Sequence, residues 1–374
     1  MTFPRFLPSS SERFQVATPL YGQRQRRAGA DGTMKWLGKL TLGAASASLL
    51  LLMVAIVQAG SWQDFKLQYY ALTQILHDQD QELDDLRKQG TPPQQNSRIE
   101  LGELLNGGPP KDGIPSIDNP EFDTPTTTPF SEDETVIGVV INGEAKAYPF
   151  GVMNWHEIVN DTVGGVNITI SYCPLCDTIV AFERGDTTFG VSGKLYQSCL
   201  ILYDRADDSL FVQPWALGVV GPQMNQSLGR IPAVKTTLKA WLAQYPESQI
   251  LATRTGHDRA YQGYPYGSYY TNERLIFPVR NQAQRQHHPK AIVSYIWAAD
   301  PQTPHNQFAG ASHQFIHEEL REAGSQTVDF QGQPLVARWD ATLETVVVED
   351  REGRVIPSST AFAFVYPAFF GSAQ

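Results

Sequence analysis

The period of hydrophobic and polar positions changes three times along the chain. From Leu40 to Ala59 the run LTLGAASASLLLLMVAIVQA carries no charge. Its length is about that of a helix crossing a bilayer. Arg24, Arg26, Arg27, Lys35 and Lys39 precede it, and Asp78, Asp80, Glu82, Asp84 and Asp85 follow. Positive charge stays on the cytoplasmic side, so the pattern predicts a C-terminal body outside the cytoplasm. A second reading stands open: Met34-Lys35 starts a secretory signal that ends at Val57-Gln58-Ala59, and it exports the same body. Next, Phe65, Tyr69, Leu72, Leu76, Leu83 and Leu86 fall at four- and three-residue steps, broken by Gln79. That spacing predicts a helical stalk with a short coiled-coil seam able to join copies of the chain.

From Val136 the period moves towards two. Asn142-Gly143 sits between two alternating runs, the signature of a tight hairpin. NWHEIVND reads as a short helical turn. VNITISY and DTIVAFERG read as strands flanking Cys-Pro-Leu-Cys, and TTLKAWLAQYPES as a helix. These elements predict an α+β, strongly β-rich class. The organisation expected is a cytoplasmic tail over 1–36, an anchor or uncleaved signal over 37–60 and a stalk over 61–90. A Pro/Gly-rich linker over 91–111 then leads to an extracytoplasmic domain over 112–374.

The domain also repeats itself. Residues 333–353 lie on 166–186 without a gap, placing Leu335 on Ile168, Trp339 on Tyr172, Val347 on Val180 and Arg351 on Arg184. With an insertion, Phe315-Ile316-His317-Glu318 resembles Asn154-Trp155-His156-Glu157. The expectation is a degenerate internal duplication, two related β-rich halves.

Composition narrows the partners. The net charge is -10 and no basic stripe crosses the C-terminal two-thirds, so nucleic acid is not an expected partner. Three cysteines are too few for a disulfide scaffold. Cys173 and Cys176 can nevertheless face one point, as a dithiol, a disulfide or half of a metal site. Strand-forming residues follow them, without the helix that lowers a thiol pKa in thioredoxin-like motifs. The second half carries Asp340 and Leu343 at the matching places. The cysteines are therefore kept for chemistry or as a local staple. His156 and Cys199 are candidate further ligands, and soft thiolates would suit copper, zinc or iron. Tyr196, Asp204, Arg205, Tyr261 and Tyr266 form a second candidate set, for a bound ligand. No phosphate loop, nucleophile elbow or His-Glu-x-x-His motif is present.

INGEAKAYP, NWHEIVNDTVGG, SYCPLCDTIVAFER, FGVSGKLYQSCLILYDR and the Tyr-rich PYGSYY together resemble the family called domain of unknown function 3179, from about Asp112 onward. The resemblance implies an exported or membrane-anchored protein and supplies no reaction. It carries over Trp155, His156, Glu157, Cys173, Pro174, Cys176, Gly193, Leu195, Tyr196, Tyr203, Asp204 and Arg205. The chain departs from the family pattern at Cys199, where Ser-Asp is usual, and at Asp177, where Gly or Asn is common. The reading is a metal-binding or thiol-redox protein centred on Cys173 and Cys176. The alternative is a ligand-binding or assembly module in which the pair is a structural disulfide.

Overall fold

The computed structural model describes residues 51–58, 61–76, 83–86, 97–281, 287–299 and 310–371. The expected tail and anchor lie outside them, except that 51–58 are helical. Among the described residues no helix is long and apolar enough to cross a membrane.

The helix Trp62–Leu76 opens on a capping box. Ser61 Oγ accepts the Asp64 N–H at 3.0 Å, and the Asp64 carboxylate accepts the Ser61 hydroxyl at 2.5 Å. The same carboxylate accepts the Ser268 N–H at 3.1 Å and the Ser268 hydroxyl at 2.7 Å. The start of the predicted stalk is thus tied to the body. The coiled-coil seam is not supported, because its positions lie in different environments. Tyr69 and Leu72 are exposed, whereas Leu83 is buried in the main core. Gln79 lies outside the described residues.

The body is β-rich, with two five-stranded, one four-stranded and two three-stranded sheets among the described residues. In one five-stranded sheet the hairpin of Thr135–Ile141 and Glu144–Pro149 lies beside Val234–Thr237 and Gln249–Leu251. Asn142 and Gly143 turn this hairpin with positive φ at both positions, as the sequence predicts. The four-stranded sheet orders Gly229–Ile231, Thr178–Glu183, Val166–Cys173 and Ile158–Val163. The other five-stranded sheet contains Phe189–Tyr196 paired with Cys199–Asp204. Their alternating apolar residues meet in a large core that takes in all three cysteines.

A shift of 167 residues superimposes the order of elements in two segments. The helix Phe150–His156 falls on His317–Ala323, and strand Ile158–Val163 on Ser325–Phe330. Val166–Cys173 falls on Gln333–Asp340, and Thr178–Glu183 begins where Thr345–Glu349 does. Both helices close in the same way. Glu157 N–H donates to Met153 O at 2.9 Å, and Gly324 N–H to Leu320 O at 2.8 Å. Tyr172 N–H donates to Glu157 O at 2.7 Å, and Trp339 N–H to Gly324 O at 2.8 Å. This match corrects the expected pairing of His156 with His317. His156 closes its helix and His317 opens the other, so the two histidines are not counterparts.

One close approach fixes how the helix Leu238–Gln244 seats on the first sheet. A Cβ added at Gly138 would lie 2.2 Å from the Trp241 ring, which is buried and donates from Nε1 to Ser248 Oγ at 2.8 Å. Gly138→Ala should cost about 1–3 kcal/mol by overpacking. The denaturant midpoint should fall with its slope unchanged; an unaltered midpoint would mean that Trp241 has room to move.

Candidate functional site

Three loops and strand ends bring the cysteines together. Cys173 ends the strand Val166–Cys173, opposite Thr178. Cys176 lies in the turn between those strands, with its N–H donating to Cys173 O at 3.3 Å. Cys199 begins the strand Cys199–Asp204, directly across from Tyr196. The two residues joining that hairpin, Gln197 and Ser198, have φ of 50° and 62°. Left-handed backbone at both positions ordinarily selects Asn-Gly. Two non-glycine residues there cost roughly 1–3 kcal/mol each, and the turn delivers Cys199 to the other thiols.

All three cysteines are free thiols and are buried. A Cys173–Cys176 disulfide staple is therefore not what this structure contains. Burial acts first on Cys173 and pushes its pKa up. Hydrogen bonds from the Cys176 and Cys199 thiols and from the N–H groups of Cys176 and Leu200 outweigh it, so the thiol is held well below its usual range. Burial pushes the pKa of Cys176 and of Cys199 the other way, up from the usual thiol range. The matching segment explains the design of this turn. Asp340 stands where Cys173 does, and its Oδ1 accepts the Thr342 and Leu343 N–H groups at 3.0 Å. Cys173 thus occupies the place of a turn-capping carboxylate.

The turn is held from several sides. Tyr269 Oη donates to Leu175 O at 2.7 Å. Phe362 N–H donates to Cys176 O at 2.9 Å. Asp177, at φ 53°, is buried and ion-paired with Lys235. Positive φ gives a physical reason why Gly or Asn suits that position in the family pattern. Lys290 Nζ in turn donates to the carbonyls of Tyr269 and, at 2.7 Å, Arg274, fixing the Tyr-rich loop over the thiols.

A cavity of about 150 Å³ adjoins this turn. Leu175, Val191, Leu200, Ile276 and Phe277 supply much of its wall, with Glu157, Lys194 and Tyr266 as its ionisable groups. Glu157 reaches it from a left-handed helix cap at φ 58°, where the matching residue is Gly324 at φ 82°. Burial and then the Cys173 charge raise the Glu157 pKa well above the usual carboxylate range. Lys194 enters from a β-bulge between Val191 and Leu195, an irregularity common beside active sites. Glu157 belongs to the motif quoted from the sequence, but periodicity does not mark it, and Lys194 carries no sequence signal of its own, whereas Tyr269 falls in the Tyr-rich run expected to line a ligand cleft. The left-handed φ that sets Glu157 apart has no signature in hydrophobic pattern.

The other predicted residues separate. His156 is not beside the cysteines as a free ligand: its Nδ1 donates to Pro115 O at 2.7 Å and its Nε2 accepts the Tyr261 hydroxyl at 2.7 Å. Burial, chiefly, lowers its pKa to about 4. Tyr261 is therefore a strut for His156. Arg205 clamps the lead-in segment, pairing with Asp118 at 3.0 Å and Asp112 at 3.1 Å. Asp204 accepts the Ala206 N–H and the Gln223 amide, each at 2.7 Å. Tyr196 packs on Trp215 and Phe369 in the core. Of the five residues expected to bind a ligand, Tyr266 alone lines the cavity. Among the described residues, no group of three or more His, Cys, Asp or Glu is disposed to hold a metal ion.

Glu157→Gly puts into this cap the residue that the matching cap uses. It removes a left-handed non-glycine residue and a buried carboxyl together, and should raise stability by about 1 kcal/mol. Thermal unfolding measures this; a lower melting temperature would mean that Glu157 supports the fold rather than burdening it.

A family model described as protein of unknown function (DUF3179) matches residues 111–373. No curated protein and no solved structure matches the chain. The match covers the cysteine turn, the Glu157 cap and the Lys194 bulge alike, and the chain belongs to the DUF3179 family.

Proposed function

We propose that the domain is a thiol-redox protein in which Cys173 is the attacking thiolate and Cys176 the resolving thiol. The observation carrying this reading is the gathering of three buried free cysteines in one core, with Cys173 and Cys176 on a single turn where hydrogen bonding draws the Cys173 pKa below its usual range. Thiolate attack on an external disulfide forms a mixed disulfide, and the departing sulfur takes the Glu157 proton. Cys176 then gives its proton to the Glu157 carboxylate and attacks Cys173. The second departing thiolate takes that proton, leaving a Cys173–Cys176 disulfide and two external thiols. Leu175, within the motif, faces the cavity, which supplies the approach to the turn.

The competing reading for three cysteines in one core is a soft metal ion held by Cys173, Cys176 and Cys199, which would require the thiols to move from their present arrangement. Thiolates select copper(I), zinc or iron, and binding would release the protons of Cys176 and Cys199. The charge pattern around Leu40–Ala59 supports an anchored body outside the cytoplasm, and the exposed Tyr69 and Leu72 leave a helix face on which copies of the chain could associate.

Purified full chain, prepared without chelator, should contain no stoichiometric metal and should cycle two thiols per chain. Cys176→Ser should stop at the mixed disulfide, whereas Cys199→Ser should still close the pair. Near-stoichiometric metal that disappears in Cys199→Ser would overturn the redox reading in favour of the metal.

A further inference from the structure

Glu157 spends conformational and solvation energy to be where it is. It adopts a left-handed backbone, which its counterpart meets with glycine. Its side chain is 6% exposed and faces the cavity. No described residue hydrogen-bonds its carboxyl, in contrast to Asp161, whose carboxylate takes Tyr148 Oη at 2.8 Å and Lys146 Nζ at 3.1 Å. The carboxyl is not among the fully enclosed, unpartnered polar groups of the described residues, so it opens to the cavity, where a ligand oxygen could accept its hydrogen.

The remaining wall states what kind of ligand fits. Ile114, Leu175, Val191, Leu195, Leu200 and Phe277 are apolar. A volume of about 150 Å³ matches the size of a single aromatic ring: an apolar cavity of about that size holds benzene. Gly193, at φ 75°, keeps the bulge against the lead-in segment; a Cβ there would lie 2.3 Å from Pro109 O. Ile276 and Phe277 also border a wider cleft of about 590 Å³, lined by Asp64, Tyr269, Asn272 and Arg274.

We infer that the inner cavity is a binding site for a small, one-ring or similarly compact apolar molecule carrying one oxygen acceptor, which Glu157 grips by donating its carboxyl hydrogen. Binding shares Glu157 with the redox reading but needs no thiol exchange, and a molecule held there would sit next to the Cys173 turn.

Acetophenone and ethylbenzene, equal in size and differing by one carbonyl, are the probes. Saturable chemical-shift changes in the full chain should show acetophenone binding about tenfold more tightly, the value of one hydrogen bond in a dry site. Glu157→Gln, which keeps a donor, should retain the preference, and Glu157→Met should erase it. Val191→Phe, filling the cavity from a different strand, should abolish binding of both. Cys173→Ser should bind both probes as the unaltered chain does, which separates failure of this site from failure of the thiol chemistry. Equal affinity for the two probes in the unaltered chain, or no saturable binding of either, would overturn the inference.

Discussion

An anion in a dry protein interior must be solvated by the protein itself, and the proposal of an ionised Cys173 depends on that requirement. Water is excluded, so hydrogen-bond donors have to replace it. The chain uses two backbone N–H groups and two thiols. Each donor comes at a structural cost. The Cys176 N–H requires the turn after Val166–Cys173, and the Leu200 N–H and Cys199 thiol require the hairpin with left-handed Gln197 and Ser198. The Tyr269 and Phe362 bonds to the turn's carbonyls then tie two further segments to the same point.

The matching segment shows what this region is without the anion. There Asp340 caps its own turn, Gly324 closes the helix without strain, and Leu343 fills the place of Cys176. Both segments keep the same hydrogen bonds at the helix end and the same strand lengths before the turn. The two segments differ at most positions, and among these Cys173, Cys176 and Glu157 stand opposite Asp340, Leu343 and Gly324. Sequences break local rules chiefly where function requires it, and in this chain the breaks share one neighbourhood.

Much of the fold was legible because it rests on local rules. Asn142-Gly143 specifies its hairpin, alternation specifies the strands about the cysteine turn, and the gapless self-match anticipates the 167-residue shift. The site was less legible because its geometry is long-range. Cys199 was one candidate among several, and only the packing of two sheets places it beside Cys173 and Cys176. His156 looked like a ligand by proximity in sequence, yet its nitrogens are taken by Pro115 and Tyr261. The pairing of His156 with His317 failed for a related reason: four similar residues weighed more than the register of a whole helix. Arg205 and Asp204 read as ligand contacts, but their partners lie in the lead-in and in a distant turn. The seam along the stalk failed because Leu83 belongs to the core of the same chain.

The ionisation of Cys173 is the point on which the account turns. The direct measurement is the pH titration of the Cys173 ¹³Cβ resonance in chain labelled at cysteine, with Cys173→Ser used to assign the signal. The account predicts a thiolate shift that persists unchanged through neutral pH and titrates well below the ordinary thiol range of about 8.5. A resonance that stays at the thiol position until the pH passes that range would contradict it, because the hydrogen bonds about Cys173 would then be serving a neutral group.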